Sequence, residues 1–334
     1  MEYRLLGRTN QSISFIGLGC VTFGREIDEE ASYPVLDYAV EKGITWFDTA
    51  EAYGGGNAQA YRRQALNVDD VREATNIIGS AEIIMGRWLT SRGCRDKIIL
   101  CSKVSSGNSP ENIEKALKTS LDRLQVEYVD IYELHSPDDQ TSIQESMAAL
   151  AEQVESGRVR HIGCSNFSAV QLREALEVSK TENYPRFEVI QPPYSLAAPE
   201  AQDDLFPLCR SEEIGITTYS PLAAGFLAGK YTPDRDSFPK GSRFDIIPGH
   251  ADIYFNERNF RNVERLQSKA LELGMPMVRL AMAWAMTHPD ITSVIVGARK
   301  TSHIDNALEA YDMKMEPALR EELNTWLYDR VKRT

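Results

Sequence analysis

The chain has no Cys-x-x-Cys pair, and its cysteines, Cys20, Cys94, Cys101, Cys164 and Cys209, are odd in number. Neither a disulfide framework nor a zinc site follows from such spacing, and a reducing compartment is expected. Cys101 and Cys164 fall in strand-like runs, where a thiol serves as a small buried side chain. No window approaches the ~20 apolar residues needed to cross a bilayer. The opening Met1-Glu2-Tyr3-Arg4 carries no apolar signal region, so a cytoplasmic location without a membrane partner is expected. Positive charge is in deficit: 37 Lys and Arg against 49 Asp and Glu give a net charge of −12. That balance argues against nucleic acid or an acidic membrane as the main partner. An anionic small molecule needs only a local basic pocket and is not excluded. Linker-like tracts and sequence repeats are also missing, so residues 1–334 read as one domain. Nothing in the sequence reports the oligomeric state.

What is present is a soluble-globular composition, 42% hydrophobic and 26% charged, arranged as strand followed by helix over and over. Strands are expected over 14–19, 45–49, 97–102, 128–134, 159–164, 187–191, 216–220 and 293–296. Helices are expected over 29–42, 80–89, 168–179, 203–213, 259–273, 277–287, 302–311 and 317–330. The helix after the third strand has the clearest signature: Ser109 as cap, Pro110 in the first position, and Ile113, Ala116, Leu117, Leu121 and Leu124 as one apolar stripe. Ile143, Met147, Leu150 and Val154 mark another, stopped at Gly157. Eight strands each followed by a helix fit a closed α/β barrel, the (β/α)8 or TIM barrel, with extra helices and long loops. No G-x-G-x-x-G follows the first strand, which removes the main support for a doubly wound open sheet.

Two segments break the rhythm. Residues 55–79 follow directly on Tyr53, begin with Gly55 and Gly56, and carry Arg62-Arg63 and then Asp69-Asp70. Either they form a helical cap over 60–66 that orders above a substrate, or they are a surface insertion. Residues 231–256, rich in Pro, Gly, Asp and Arg, read as a long loop, and long loops in compact domains are often functional.

Three strand ends deliver ionisable side chains. Phe47-Asp48-Thr49-Ala50-Glu51-Ala52-Tyr53-Gly54 supplies an Asp and a Tyr, Leu100-Cys101-Ser102-Lys103-Val104 a Lys, and Glu133-Leu134-His135-Ser136-Pro137 a His. Chemistry in such barrels sits at the ends of the strands. A phenol, with a reference pKa of ~10, donates a proton poorly at neutral pH unless a nearby ammonium stabilises its phenolate. A carboxylate can in turn hold that ammonium. Singly, each residue has a plainer reading: packing for the Tyr, solvated charge for the Lys, satisfied structure for the His, a turn cap for the Asp. Their joint placement favours the catalytic one.

This set resembles the catalytic tetrad of the aldo-keto reductases, and the resemblance runs nearly end to end. It implies reduction of an aldehyde or ketone by hydride from NADPH. Asp48, Tyr53, Lys103 and His135 are the matching catalytic residues, with Tyr53 as proton donor and no metal. His135 then either binds the substrate oxygen or assists proton transfer. The resemblance also implies cofactor contacts. Backbone near Cys20 and Val21 approaches the cofactor, Asp48 lies beside it, and Ser165, Asn166 and Gln191 bind the nicotinamide carboxamide. Tyr219 stacks on the nicotinamide, followed by Ser220, Pro221 and Leu222. Ala223 to Gly225 turn the backbone at the pyrophosphate, and Lys230 and Arg243 are candidate phosphate contacts. Gly297, Arg299, Lys300, His303 and Asn306 line the adenosine end, where Arg299 or Lys300 pairs with a 2′-phosphate. The chain departs from the usual pattern at His303, where Gln is common. Phe23 walls the substrate pocket or packs the core. Potassium-channel β subunits share the resemblance, so a cofactor-binding accessory protein is the alternative reading.

Overall fold

Successive residues of a strand face opposite sides of the sheet, and here that alternation separates a barrel interior from its wall. The structure, a computed structural model, describes residues 1–235 and 237–327. It opens with an antiparallel hairpin, β1 (Tyr3–Leu5) and β2 (Ser12–Ser14). Eight parallel strands then close a barrel: β3 (Ile16–Gly19), β4 (Trp46–Asp48), β5 (Ile99–Val104), β6 (Val129–Leu134), β7 (Val159–Ser165), β8 (Phe187–Gln191), β9 (Gly215–Thr218) and β10 (Ser293–Gly297). Closure comes from β10 pairing with β3, Gly297 opposite Gly19. This is the (β/α)8 barrel that the strand–helix alternation implies. Among the described residues no helix is long and apolar enough to cross a membrane.

The first expected strand, 14–19, is two pieces, one in the hairpin and one in the barrel. The reason lies in the core: Leu6 and Ile13 of the hairpin cluster with Trp46, Cys101, Ile131, Val189 and Ile295. The hairpin therefore plugs the end of the barrel where the strands begin. Trp46 fits only because Gly17 faces it, since a Cβ there would lie 2.3 Å from the indole Cδ1. On the wall side Phe47 stacks on Trp88, ring centres 5.8 Å apart, and full burial of each such ring contributes about 1.5–3 kcal/mol.

The helices start where the caps stand. Ser109 accepts from the Asn112 amide with Pro110 next, and its apolar stripe is buried. Ser142 with Glu145 and Ser168 with Gln171 form reciprocal caps. The last expected helix runs Pro317–Asn324; positions 328–330 of that expectation lie outside the described residues.

The segment expected as a long loop, 231–256, carries two short helices, Arg243–Ile246 and His250–Tyr254. Aromatic rings pin it. Tyr231 stacks on Phe244 at 4.3 Å, and Phe255 packs against Phe226, Phe238, Phe244 and Phe260, each pair adding about 0.5–1.5 kcal/mol beyond area burial.

Residues 55–79 do contain a helix, Asn57–Leu66, and it packs against 243–249. Arg62 is fully buried. Its guanidinium donates to Asp70 Oδ1 at 2.9 Å, to Glu73 Oε2 at 2.7 Å, and to the Ile246 carbonyl. Arg72 Nη1 donates to Asp245 Oδ1 at 2.8 Å, and the Ala74 and Thr75 amides donate to the carbonyls of Arg25 and Gly24 at 2.8 and 2.9 Å. This anchoring is what fixes the helix in place. Buried charge on Arg62 needs partners, and the Ile246 carbonyl among them ties the segment to the 243–249 stretch, while the Ala74 and Thr75 amides tie it to the turn after β3.

Candidate active site

The last inward-facing positions of four strands are polar. Asp48, Lys103, Glu133 and Gln191 are all at most 2% exposed, and Lys103 stands opposite Glu133 in the β5–β6 register. Lys103 Nζ donates to both carboxylate oxygens of Asp48 and, at 2.8 Å, to the Thr49 carbonyl. Burial alone would strip the Lys103 proton, but the Asp48 carboxylate beside it holds the ammonium's pKa well above the ordinary value. Burial raises the Asp48 carboxyl in turn, with Lys103 and Gln191 pulling it back. Gln191 Nε2 donates to Asp48 Oδ1 at 3.1 Å and reaches Glu133 Oε2 at 3.4 Å.

The third strand was expected to stop at 102, leaving Lys103 at its end. Instead β5 continues through Val104, because the interior carboxylate of Asp48 lets a lysine remain inside the barrel. Glu133, which the sequence reading passed over, belongs to the same layer. Burial outweighs Lys103 and pushes its carboxyl up to about 8, with Asp48 adding to the rise. At neutral pH it is an uncharged acid.

Tyr53 lies just beyond β4, with Lys103 Nζ 5.2 Å from its ring centre. Lys103 lowers the phenol pKa, as the sequence reading held, but burial dominates and the net value is about 12. The expected acidification is therefore corrected: the hydroxyl is held protonated. The His135 ring stands edge-on to Tyr53, centres 5.5 Å apart. Burial, then Lys103, hold its pKa down to about 3, so the imidazole is neutral. Ser105 Oγ lies 2.6 Å from His135 Nδ1. Asn166 Nδ2 donates to the His135 carbonyl at 2.8 Å and accepts, through Oδ1, from the Tyr219 hydroxyl at 2.7 Å.

From Tyr53 a groove of about 500 Å3 runs outward, lined by Val21, Asp48, Gln191, Tyr219, Ser220, Pro221, Leu222, Gly225, Lys230, Arg243, Gly297, Arg299, His303 and Asn306 among others. All fourteen were expected at a cofactor. The turn at its edge is strained, with positive φ at Ser220, Ala223 and Ala224, which brings backbone close to the groove. Other expected residues stand apart from the lining. Cys20 and Ala223 are fully buried in the wall core, so only their backbone is near. Ser165 is also buried, and its hydroxyl is spent on the Gln191 carbonyl at 2.8 Å. Lys300 is exposed at the cap of the helix Thr301–Asp312, outside the groove, because the chain turns there into that helix. Phe23 is fully buried in the core rather than at the pocket wall.

The far end of the groove is crowded with cations. Burial, then Arg25, push the Arg243 pKa down to about 10, against the pull of Glu26. Lys230 is lowered by burial and by Arg299 and Arg243, and His303 is held at about 4 by burial and Arg299. Glu26, paired with Arg243 at 2.8 Å and Arg25 at 3.0 Å, does not offset the set, and Arg25 Nη2 is buried without a hydrogen-bond partner among the described residues. Such mutual repulsion is relieved by a polyanion. Arg25, Glu26 and His250 line this end and were missed in the sequence; the charged pair directly after Gly24, in an otherwise apolar strand end, was the available signal.

A barrel with a buried Lys–Asp pair, a protonated tyrosine and a basic groove at the strand ends defines a class of reductase. A sequence model of the Aldo/keto reductase family matches residues 15–324. The chain belongs to that family, as one of its oxidoreductases. It is 29% identical to an uncharacterized oxidoreductase, YrpG, of Bacillus subtilis (97% of this chain, 95% of the relative). It is 31% identical to a probable voltage-gated potassium channel subunit beta of Oryza sativa subsp. japonica (100% and 99%). An aldo-keto reductase of Schizosaccharomyces pombe, yakc [NADP(+)], is 29% identical (94% and 88%).

Proposed function

We propose that this protein reduces an aldehyde or ketone to an alcohol with NADPH, using Tyr53 as proton donor. The observation that carries the reading is the pairing of two features along one groove. A protonated phenol with a neutral imidazole stands at the inner end, and an under-compensated cation cluster at the outer. A dinucleotide with a pyrophosphate and a further phosphate fits that cluster. Lys230, Arg243 and Arg299 would hold the phosphates. Gln191 and Asn166 would hold the carboxamide, braced by Ser165, which bonds both, and Tyr219 would face the nicotinamide ring. Ser220 to Gly225, with backbone at Cys20 and Val21, would shape the middle, and Gly297, His303 and Asn306, with Lys300 nearby, the adenosine end. When bound, the cofactor supplies a hydride to the carbonyl carbon. Tyr53 gives its proton to the carbonyl oxygen, Lys103 opposes the negative charge left on the phenolate, and Asp48 keeps Lys103 charged. His135 hydrogen-bonds the same oxygen and fixes the carbonyl's orientation.

The likeness to plant potassium channel β subunits over the whole chain favours a second reading, a cofactor-binding accessory protein. Following NADPH oxidation with a panel of aldehydes separates the two. Sustained multiple turnover is expected. A single slow oxidation of tightly held cofactor, with every carbonyl tried, would favour the accessory role.

A further inference from the structure

His135 is neutral, so its ring carries one proton shared between two candidate nitrogens. Nδ1 is engaged by Ser105 Oγ at 2.6 Å, and among the described residues Nε2 has no hydrogen-bond partner. Ser105 itself is held. One carboxylate oxygen of Glu51, Oε2, accepts from the Ser105 amide at 2.8 Å and the Ser106 amide at 3.1 Å. Glu51 is fixed in turn: its amide donates to the Lys103 carbonyl at 3.1 Å, and its carbonyl accepts from Arg123 Nη1 at 3.0 Å. It stands two residues before Tyr53. One side chain thus ties the loop that carries Tyr53 to the loop that carries the partner of His135.

We propose that Ser105 and Glu51 are positioning residues that set the tautomer of His135: Ser105 Oγ–H donates to Nδ1, the ring proton resides on Nε2, and Glu51 holds Ser105 in register. This rests on the reading of Tyr53 and His135 as the pair that meets a carbonyl oxygen. Such an oxygen accepts hydrogen bonds only. A ring with its lone pair on Nε2 would repel it, whereas Nε2–H binds it. A hydroxyl can donate or accept, so the contact at Nδ1 suits either tautomer by itself; with the carbonyl oxygen selecting Nε2–H, the Ser105 hydroxyl turns its hydrogen to the Nδ1 lone pair and stabilises that choice. The sequence reading assigned Glu51 no role, because the residues it clamps, Ser105 and Ser106, lie 54 and 55 residues away in the chain and meet it only in the fold.

The test reads the tautomer directly. Protein labelled with 15N-histidine is examined by NMR at pH 7, with the His135 signals identified by their loss in His135→Asn. The expected wild-type pattern is the Nε2–H tautomer. Ser105→Ala should give a mixture or the other tautomer, Ser105→Thr should restore the wild-type pattern, and Glu51→Ala should shift it part way. In steady state Ser105→Ala should lower kcat about tenfold with NADPH affinity unchanged, and Ser105→Thr should recover most of the loss. A wild-type Nδ1–H pattern, or one unaltered in folded Ser105→Ala, overturns the proposal. The spectrum needs no turnover, so it decides the positioning role by itself. Failure of the reductase reading would show separately, as absence of carbonyl reduction with the expected tautomer in place.

Discussion

Lys103 bonds Asp48 and the Thr49 carbonyl, and meets Tyr53 only across 5.2 Å to the ring centre. Its first duty is therefore to neutralise a buried carboxylate. Removing one partner of a buried pair leaves the other uncompensated, at a cost of about 3–5 kcal/mol. Lys103→Met should lose both turnover and that much stability in urea unfolding. Adding Asp48→Leu should recover most of the stability and none of the activity. A single variant as stable as the wild type would contradict the pairing.

Arg299 contributes to a basic cluster short of counter-charge. A charge-assisted bond to phosphate is worth about 1.5–3 kcal/mol, so Arg299→Ala should weaken NADPH binding at least about tenfold and barely change NADH binding. Fluorescence titration of both cofactors checks this. Equal wild-type affinities would refute the 2′-phosphate assignment.

Glu133 titrates at about 8 in the fold, against an ordinary value of 4.5. Below 4.5 the carboxyl is protonated whether the chain is folded or not. Between 4.5 and 8 only the unfolded chain releases the proton, so stability falls as pH rises through that window, and above 8 the effect levels off. Glu133→Gln is neutral throughout. Its Tm advantage over the wild type should widen from pH 4.5 to 8 and then hold. A gap independent of pH would mean that Glu133 is ionised in the native state.

The 55–79 segment is tied to the groove: Arg62 and Arg72 bond Ile246 and Asp245, and Arg243 of the same stretch lines the groove. Arg72 is half-exposed, and an ion pair of that kind is worth up to about 1 kcal/mol. Arg72→Ala should speed NADPH dissociation severalfold in stopped-flow displacement. An unchanged off-rate, with altered substrate preference instead, would favour the cap above a substrate.

The barrel and the clustering of four residues at its strand ends were legible because both leave local marks. Apolar runs alternate with capped helices, and Asp48, Tyr53, Lys103 and His135 each follow an apolar run. Features formed only by distant chain meeting chain left none. The hairpin strands, Tyr3–Leu5 and Ser12–Ser14, are too short for any periodicity to register. Glu133 shares its strand face with Ile131, but a carboxyl on that face reads as a charge, and only barrel closure shows that it is buried and uncharged. Arg62 reads as a surface arginine until Glu73 and Ile246 are brought around it. The net shift of Tyr53 was misjudged for the same reason: Lys103 was visible in the sequence, while the burial that outweighs it was not.

The most direct test of the proposed chemistry is Tyr53→Phe, which removes the hydroxyl and keeps the ring. Turnover of a carbonyl panel and NADPH affinity should be measured on the same preparation. General acid catalysis contributes roughly 10²–10⁴-fold, so the expected result is a fall of at least that order in kcat with cofactor affinity unchanged. Retention of most of the wild-type rate on several carbonyls would contradict the assignment of Tyr53 as the proton donor.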